Sequence, residues 1–311
     1  MPRHKVRRPW LDYLVYLAVR LVVAFAQMLS IEQSYALAKA LAWLIYNVDK
    51  RHRVVGLENL KMAYGDRYTD GERDRIIRGV YLHFCMMIME MLHIPRKIHL
   101  TNWRQYVSLV GHEPTLDRLM TGGPIILLTG HYGNWELAGY LFGLYGFPTY
   151  SVARTLDNPY LDRFLRSFRE QTGQKLIPKA GGYDQILGVL QSGRALSMLA
   201  DQDAGQRGMF VEFFGRSAST HKAIALLAIE HQAPVVVGVA RRIGPGFRYE
   251  IRSADVIEPH EFSGSADDAR LLTQRYTTAL EQLIRQDPTQ YLWLHRRWKH
   301  QPLRKKVASG E

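Results

Sequence analysis

The chain is expected to form an α/β fold, a mixed and largely parallel sheet flanked by helices, with an N-terminal membrane-associated helical segment. Three observations point there. Beyond residue 100, short apolar runs bounded by glycine or proline alternate with stretches of helical period. Before residue 100, helical patterns dominate. At the start, a basic cluster over residues 3–8 runs into an apolar stretch from Trp10 to Leu29.

Taken in order, residues 1–30 are a basic flank and a membrane-associated helix. The apolar stretch is long enough to cross a bilayer, but Asp12 lies near its start and Arg20 near its middle. An arginine at that depth costs about 2.5–3.5 kcal/mol on insertion scales. No small-x-small cleavage site follows, which argues against a cleaved signal peptide. Two readings remain: a single span, or a helix lying in the interface with its cations on anionic headgroups. Residues 31–100 form a helical segment, with amphipathic helices over 31–48 and 72–93. Residues 101–300 form the α/β domain. Buried-strand runs fall at 124–129, 149–152, 195–200 and 234–240, with a further candidate at 247–251. Helical patterns fall at 134–145, 158–172, 183–192, 219–231 and 266–286. Residues 301–311 are a basic tail.

The 311 residues suffice to bury a sizeable core. A formal net charge of +12 favours an anionic partner, whether nucleic acid, an acidic membrane surface or a phosphorylated substrate. The single cysteine, Cys85, sits in an apolar run and reads as a core thiol, which is compatible with a reducing compartment.

Chemistry concentrates in Thr129-Gly-His-Tyr-Gly-Asn-Trp-Glu136, between an expected strand and an expected helix. In open α/β sheets ligands bind at the carboxyl ends of strands. Five residues on a regular helix turn through about 140°, so His131 and Glu136 would not face each other on one helix. With Gly133 breaking the turn and Asn134 capping the helix, His131 can sit in the loop and Glu136 in the first helical turn. A carboxylate on the imidazole would fix its tautomer, and imidazole suits general-base work near neutral pH. A capping arrangement with an incidental histidine reads equally well from position alone.

The His-x4-Glu spacing resembles the His-x4-Asp/Glu motif of the glycerolipid acyltransferase superfamily. The wider context is similar to one branch, the lipid A late acyltransferases (lauroyl and myristoyl transferases), and to relatives that acylate other glycolipids. The matching residues are Asn59-Leu60 and Tyr64, then Gly130–Glu136, then Arg154 with Asp157-Asn158-Pro159, then Asp201-Gln202-Asp203. Phe210–Gly215, Ala218-Ser219-Thr220 and Trp293–Trp298 complete the series. The resemblance implies a glycerolipid-acyltransferase-like fold and an O-acyltransferase. Such an enzyme moves a fatty acyl chain from acyl carrier protein or acyl-coenzyme A to a hydroxyl of a lipid A precursor or related glycolipid. His131 would be the general base and Glu136 its orienter. Arg154 would bind an acidic headgroup or stabilise oxyanion charge, with Asn158, Asp201, Gln202 and Asp203 also on the substrate; Asp201 and Asp203 would position the acceptor or hold Arg154. No cofactor and no metal are implied, since no ligand set completes the two aspartates. The expected place is the bacterial inner membrane with the catalytic domain on the cytoplasmic face. With residues 3–8 inside, a full span would carry that domain outside, away from a cytoplasmic donor, so the in-plane helix is favoured.

Residues 208–215 read equally as the wall of an acyl-chain groove or as a core strand. Trp293, His295, Arg296, Arg297, Trp298 and Lys299 mix aromatics with cations. Without any nucleic-acid-binding signature they are assigned to a headgroup interface or a phosphorylated substrate, not to nucleic acid. Arg304-Lys305-Lys306 reads as a solvated tail or a nonspecific membrane contact. Within the class, the alternative is an acyltransferase acting on a lysophospholipid or simpler lipid. A soluble hydrolase is disfavoured because no Gly-x-Ser-x-Gly elbow occurs. A non-enzymatic membrane-interaction protein would explain the charge and the apolar helix, but not His131 and Glu136 in their strand-loop-helix setting.

Overall fold

Helices carry the first hundred residues. A computed structural model of the chain describes residues 8–262 and 265–302. The basic residues 3–7 and the cluster Arg304-Lys305-Lys306 lie outside the described residues. Helix α1 (Pro9–Met28) is followed by α2 (Ile31–Val48), α3 (Lys50–Tyr64) and α4 (Asp70–Lys97). The starts of α2 and α4 are written in the sequence as capping boxes: Ser30 with Gln33, and Thr69 with Glu72, each satisfying two orphan amide groups. Helix α4 is apolar and long enough to cross a membrane, but more than half of its apolar window is buried, so it serves as the core helix of this layer.

Helix α1 behaves differently. Ala26 is its one buried residue, while Leu21, Val22, Phe25 and Met28 stand open. A narrow stripe along it touches the domain. Tyr13 packs edge-on and Tyr16 at a tilt against Tyr160, the Asp12 carbonyl accepts from Asn158, and Gln27 reaches the Leu92 carbonyl. Arg20, the residue most at odds with a simple span, lies 5.0 Å over the Phe164 ring and donates to the Tyr16 hydroxyl. The outer face of α2 is apolar as well, with Trp43, Leu44 and Val48 exposed.

The α/β part runs β1 (Val107–Val110), α5 (Glu113–Thr121), β2 (Ile125–Thr129), α6 (Trp135–Leu144), β3 (Thr149–Ala153) and α7 (Pro159–Arg169). It continues with β4 (Lys175–Pro178), α8 (Tyr183–Gln191), β5 (Ala195–Leu199), the hairpin β6 (Met209–Phe213) and β7 (Arg216–Thr220), and α9 (Ala223–Glu230). It closes with β8 (Val235–Arg242), β9 (Tyr249–Ile257) and α10 (Asp268–Gln286). Seven strands form one sheet in the order β1-β9-β8-β2-β5-β3-β4. Every neighbouring pair is parallel except β8 with β9. The expected mixed, largely parallel sheet flanked by helices is therefore what forms. Central β2 reads Ile-Ile-Leu-Leu-Thr because both of its faces are covered.

The differences from the sequence reading are local. The four-residue strands β1 and β4 escape a pattern search because they are too short to show a period. Ser219 and Thr220, expected to open a helix, pair with Phe210 and Met209 in the separate β6–β7 hairpin. Of the two readings for residues 208–215, Phe213 takes the core one: it is buried against Phe214, Tyr291 and Trp298.

Candidate active site

Strands β2 and β5 lie side by side and in parallel, with Ile125 opposite Ala195 and Thr129 opposite Leu199. The same register carried two residues past the strand ends sets His131 opposite Asp201. The contact follows directly. Asp201 Oδ1 lies 2.8 Å from His131 Nδ1, and Asp201 Oδ2 accepts the His131 main-chain N–H at 2.8 Å. One carboxylate thus holds both the ring and the backbone of the histidine. Gly130 leaves no space for a side chain here, since a Cβ would meet Leu280 at 2.8 Å and Asp201 at 3.2 Å.

The loop after β2 is fixed by main-chain bonds to two other segments. The His131 carbonyl accepts from Leu292, Gly133 N–H donates to the Gln290 carbonyl, and Asn134 N–H donates to the Ala240 carbonyl. Gly133 has φ +65°, and a Cβ there would stand 2.1 Å from the Ala240 carbonyl oxygen, so glycine is required twice over. Buried His83 faces the Gly133 carbonyl at 3.1 Å. Burial holds His83 down to about 3, so it is neutral and its Nε2 must carry the donated hydrogen.

For His131, burial lowers the pKa, but the charge and hydrogen bond of Asp201 outweigh it and the net shift is upward from 6.5. For Asp201, burial raises the pKa, yet His131 and its two hydrogen bonds bring it below 3.8. In the neutral imidazole Nδ1 therefore carries the hydrogen, and Nε2 presents a lone pair. The side chain is about one-fifth exposed. Gln202 Nε2 sits 3.5 Å from Nε2, and the Trp135 ring packs edge-on at 5.1 Å. A hydroxyl approaching Nε2 meets an oriented base.

The expected pairing of His131 with Glu136 is corrected: the carboxylate on the imidazole is Asp201. Glu136 does sit in the first turn of α6, but it faces α7, where Arg169 grips both of its oxygens and Trp135 Nε1 donates at 3.1 Å. Register decides this, because the parallel neighbour delivers a carboxylate to Nδ1 while the helix carries its own toward the next helix. Asp201 accordingly spends both oxygens on His131 and does not hold Arg154. Arg154 follows β3 with a side chain 80% exposed and a loose 3.7 Å pairing to Asp157. Asn158 caps α7 through its oxygen and binds α1 through its nitrogen. Asp203 is tied to the C-terminal segment: its N–H donates to His295 Nε2 at 3.0 Å and its Oδ2 takes His300 Nδ1 at 2.6 Å.

The aromatic and basic ending is also corrected. Trp293, Arg297 and Trp298 are buried, so they are not a headgroup interface. Arg297 donates to Thr220 Oγ1 at 2.6 Å and to the Ser219 carbonyl, and Asn59 Nδ2 donates to the Trp293 and His295 carbonyls. Tyr64, Phe214 and Trp293 pack edge-to-face on one another. Several of the scattered matching residues therefore converge to press the C-terminal segment onto the His131 loop. Sequence reasoning missed Arg169, and it missed buried Tyr291, whose side chain hydrogen-bonds Asp201; neither lies at a recognisable spacing. Among the described residues, no group of three or more His, Cys, Asp or Glu side chains could hold a metal ion.

Residues 2–300 match the family described as bacterial lipid A biosynthesis acyltransferase. The chain is 27% identical over 272 residues to lipid A biosynthesis lauroyltransferase of Escherichia coli K12, covering 86% of each chain. It is 24% identical to lipid A biosynthesis palmitoleoyltransferase of the same organism, covering 82% of this chain and 81% of that one. It is also 25% identical to phosphatidylinositol mannoside acyltransferase of Mycobacterium tuberculosis H37Rv, covering 67% of this chain and 66% of that one.

Proposed function

The chain belongs to the bacterial lipid A biosynthesis acyltransferase family, and from that premise we propose that it transfers a fatty acyl chain from an acyl thioester to a hydroxyl of a lipid A precursor or related glycolipid, with His131 as general base. The observation that carries this reading is Asp201 fixing His131 Nδ1, which leaves Nε2 as the open, basic nitrogen. Nε2 takes the proton of the acceptor hydroxyl as its oxygen attacks the thioester carbonyl carbon. The tetrahedral intermediate collapses, the carbon–sulfur bond breaks, and the imidazolium returns the proton to the departing thiolate. No covalent enzyme intermediate is needed. Asp201 stays ionised throughout and stabilises the imidazolium. Arg154, exposed on the loop after β3, is free to fold over an anionic headgroup as a two-pronged donor.

Helix α1 is docked lengthwise on the domain through Tyr160 and Phe164 of α7, a helix that also carries the charged pair Asp162–Arg166. A bilayer crossing along α1 would bring those charges toward hydrocarbon, which supports the in-plane reading with the domain on the cytoplasmic face. The exposed apolar faces of α1 and α2 then meet the membrane where the lipid acceptor resides.

The test is acyl transfer by the purified full chain, offered acyl carrier protein and coenzyme A thioesters with a lipid A precursor or a lysophospholipid, the product weighed by mass spectrometry. His131→Ala should abolish transfer in a protein that still folds, with rates taken well below its melting point because the change also strips buried Asp201 of its partner. Retention of more than about a tenth of wild-type turnover would sink the assignment, because general-base assistance is worth about 10²–10⁴-fold. Product from the lysophospholipid alone would favour the simpler acceptor.

A further inference from the structure

Glu90 of α4 is fully buried and takes part in no step above. Five donor groups converge on it. Tyr35 donates at 2.5 Å, Asn134 Nδ2 at 3.0 Å and Arg242 through one nitrogen at 3.0 Å, while the second Arg242 nitrogen and the Tyr249 hydroxyl also contact it. A carboxylate so far from water requires such a set of partners. They come from α2, β8 and β9 and from one residue of the His131 loop, Asn134. The same Asn134 accepts the Leu137 N–H on its oxygen at 2.9 Å, and so caps α6. These two partners allow a single orientation of the amide, with nitrogen to Glu90 and oxygen to the helix.

We propose that Asn134 is a positioning residue for His131, and that buried Glu90 is the anchor that fixes it against the helical layer. The inference rests on His131 being the general base. Only Tyr132 and Gly133 separate Asn134 from His131, and Gly133 is wedged against the Ala240 carbonyl. That short, constrained path carries the anchor to the imidazole. Capping alone does not call for asparagine, because aspartate caps a helix as well. Aspartate, however, has no N–H for Glu90 and would set a second carboxylate against it. The residue type is explained by the tether and not by the cap.

Asn134→Asp, Asn134→Ala, Glu90→Gln and the exchanged pair Glu90→Gln/Asn134→Asp separate the two roles. Each is measured for kcat, for KM of both substrates, and for thermal melting, with rates taken where all variants are folded. Asn134→Asp should lose about 10²-fold in kcat with donor KM nearly unchanged, the scale expected for a misplaced catalytic group. It should be no better than Asn134→Ala, although it keeps the cap. The exchanged pair restores one amide and one carboxylate at the two positions and should recover most of the lost rate. Wild-type activity in Asn134→Asp, or Asn134→Asp far exceeding Asn134→Ala, overturns the tether in favour of a simple cap. An exchanged pair no better than its worse single variant also overturns it. Should Glu90→Gln fail to fold, the ranking of Asp and Ala at position 134 still decides. An active His131→Ala would instead sink the general-base reading, a separate outcome.

Discussion

Asp201→Asn is the sharpest test of the His131 geometry. The wild-type carboxylate accepts two hydrogen bonds from one residue, from the His131 main chain and from Nδ1, both at 2.8 Å. Asparagine matches the shape but offers one acceptor and one donor. If its oxygen stays on Nδ1, its amide hydrogens oppose the backbone N–H. If it keeps the backbone bond, its NH2 faces Nδ1, and the hydrogen moves to Nε2, where the base is lost. Either way the oriented base is damaged, and kcat should fall by about 10²–10⁴-fold, or roughly 2.7–5.4 kcal/mol of barrier. The pH profile should change as well. In the wild type the acid limb of kcat/KM should lie above the ordinary imidazole range, because Asp201 overcomes the downward pull of burial on His131. Without the charge, burial acts unopposed and the limb should move to lower pH. The assay is acyl transfer from a radiolabelled thioester across pH 5–9, with melting followed in parallel. An Asp201→Asn enzyme within threefold of wild type, or one whose acid limb stays put, would refute the reasoning.

Four further outcomes follow from the same contacts. Glu136→Ala leaves Arg169 without its carboxylate and should lower the melting temperature, as breaking a largely buried pair costs about 3–5 kcal/mol; its residual activity should keep the wild-type acid limb, and a shifted limb would restore Glu136 as the partner of His131. The His131–Asp201 pair should contribute most to stability between about pH 4 and 6.5: a raised histidine loses its contribution as pH rises through its folded pKa, and a lowered aspartate loses its own as pH falls through its folded pKa. Flat melting temperatures across that range and beyond it, with His131→Ala as the reference, would contradict this. Arg154→Ala should raise acceptor KM while Arg154→Lys retains partial activity, because lysine keeps the charge but not the fork; unchanged kinetics in Arg154→Ala would return it to the solvated surface. Leu21→Glu with Phe25→Glu, on the open face of α1, should release the protein from washed membranes without unfolding it, and a reporter fused after Leu29 should read as cytoplasmic.

Much of this protein is determined one segment at a time. The capping boxes at Ser30 and Thr69, the unbroken apolar run of β2, and the apolar length of α1 are local, so the sequence declares them. The same holds for the strand-loop-helix setting of His131, because Gly133 and Asn134 mark where the chain must turn and where α6 must begin. What the sequence could not decide was which side chains meet. Glu136 is five residues from His131 and Asp201 is seventy away, yet the parallel register of β2 and β5 brings the distant carboxylate to Nδ1. The ending at Trp293–Trp298 looks like a surface from its charges, but packing buries Trp293, Arg297 and Trp298, with contacts from Asn59, Phe214 and Thr220 that no local window contains. Glu90, an ordinary acid in a helical pattern, becomes the centre of a buried network only once α2, α4, β8 and β9 come together. Periodicity and caps depend on neighbours in the chain, whereas pairing across the sheet depends on the register of strands that the chain reaches only after a crossover.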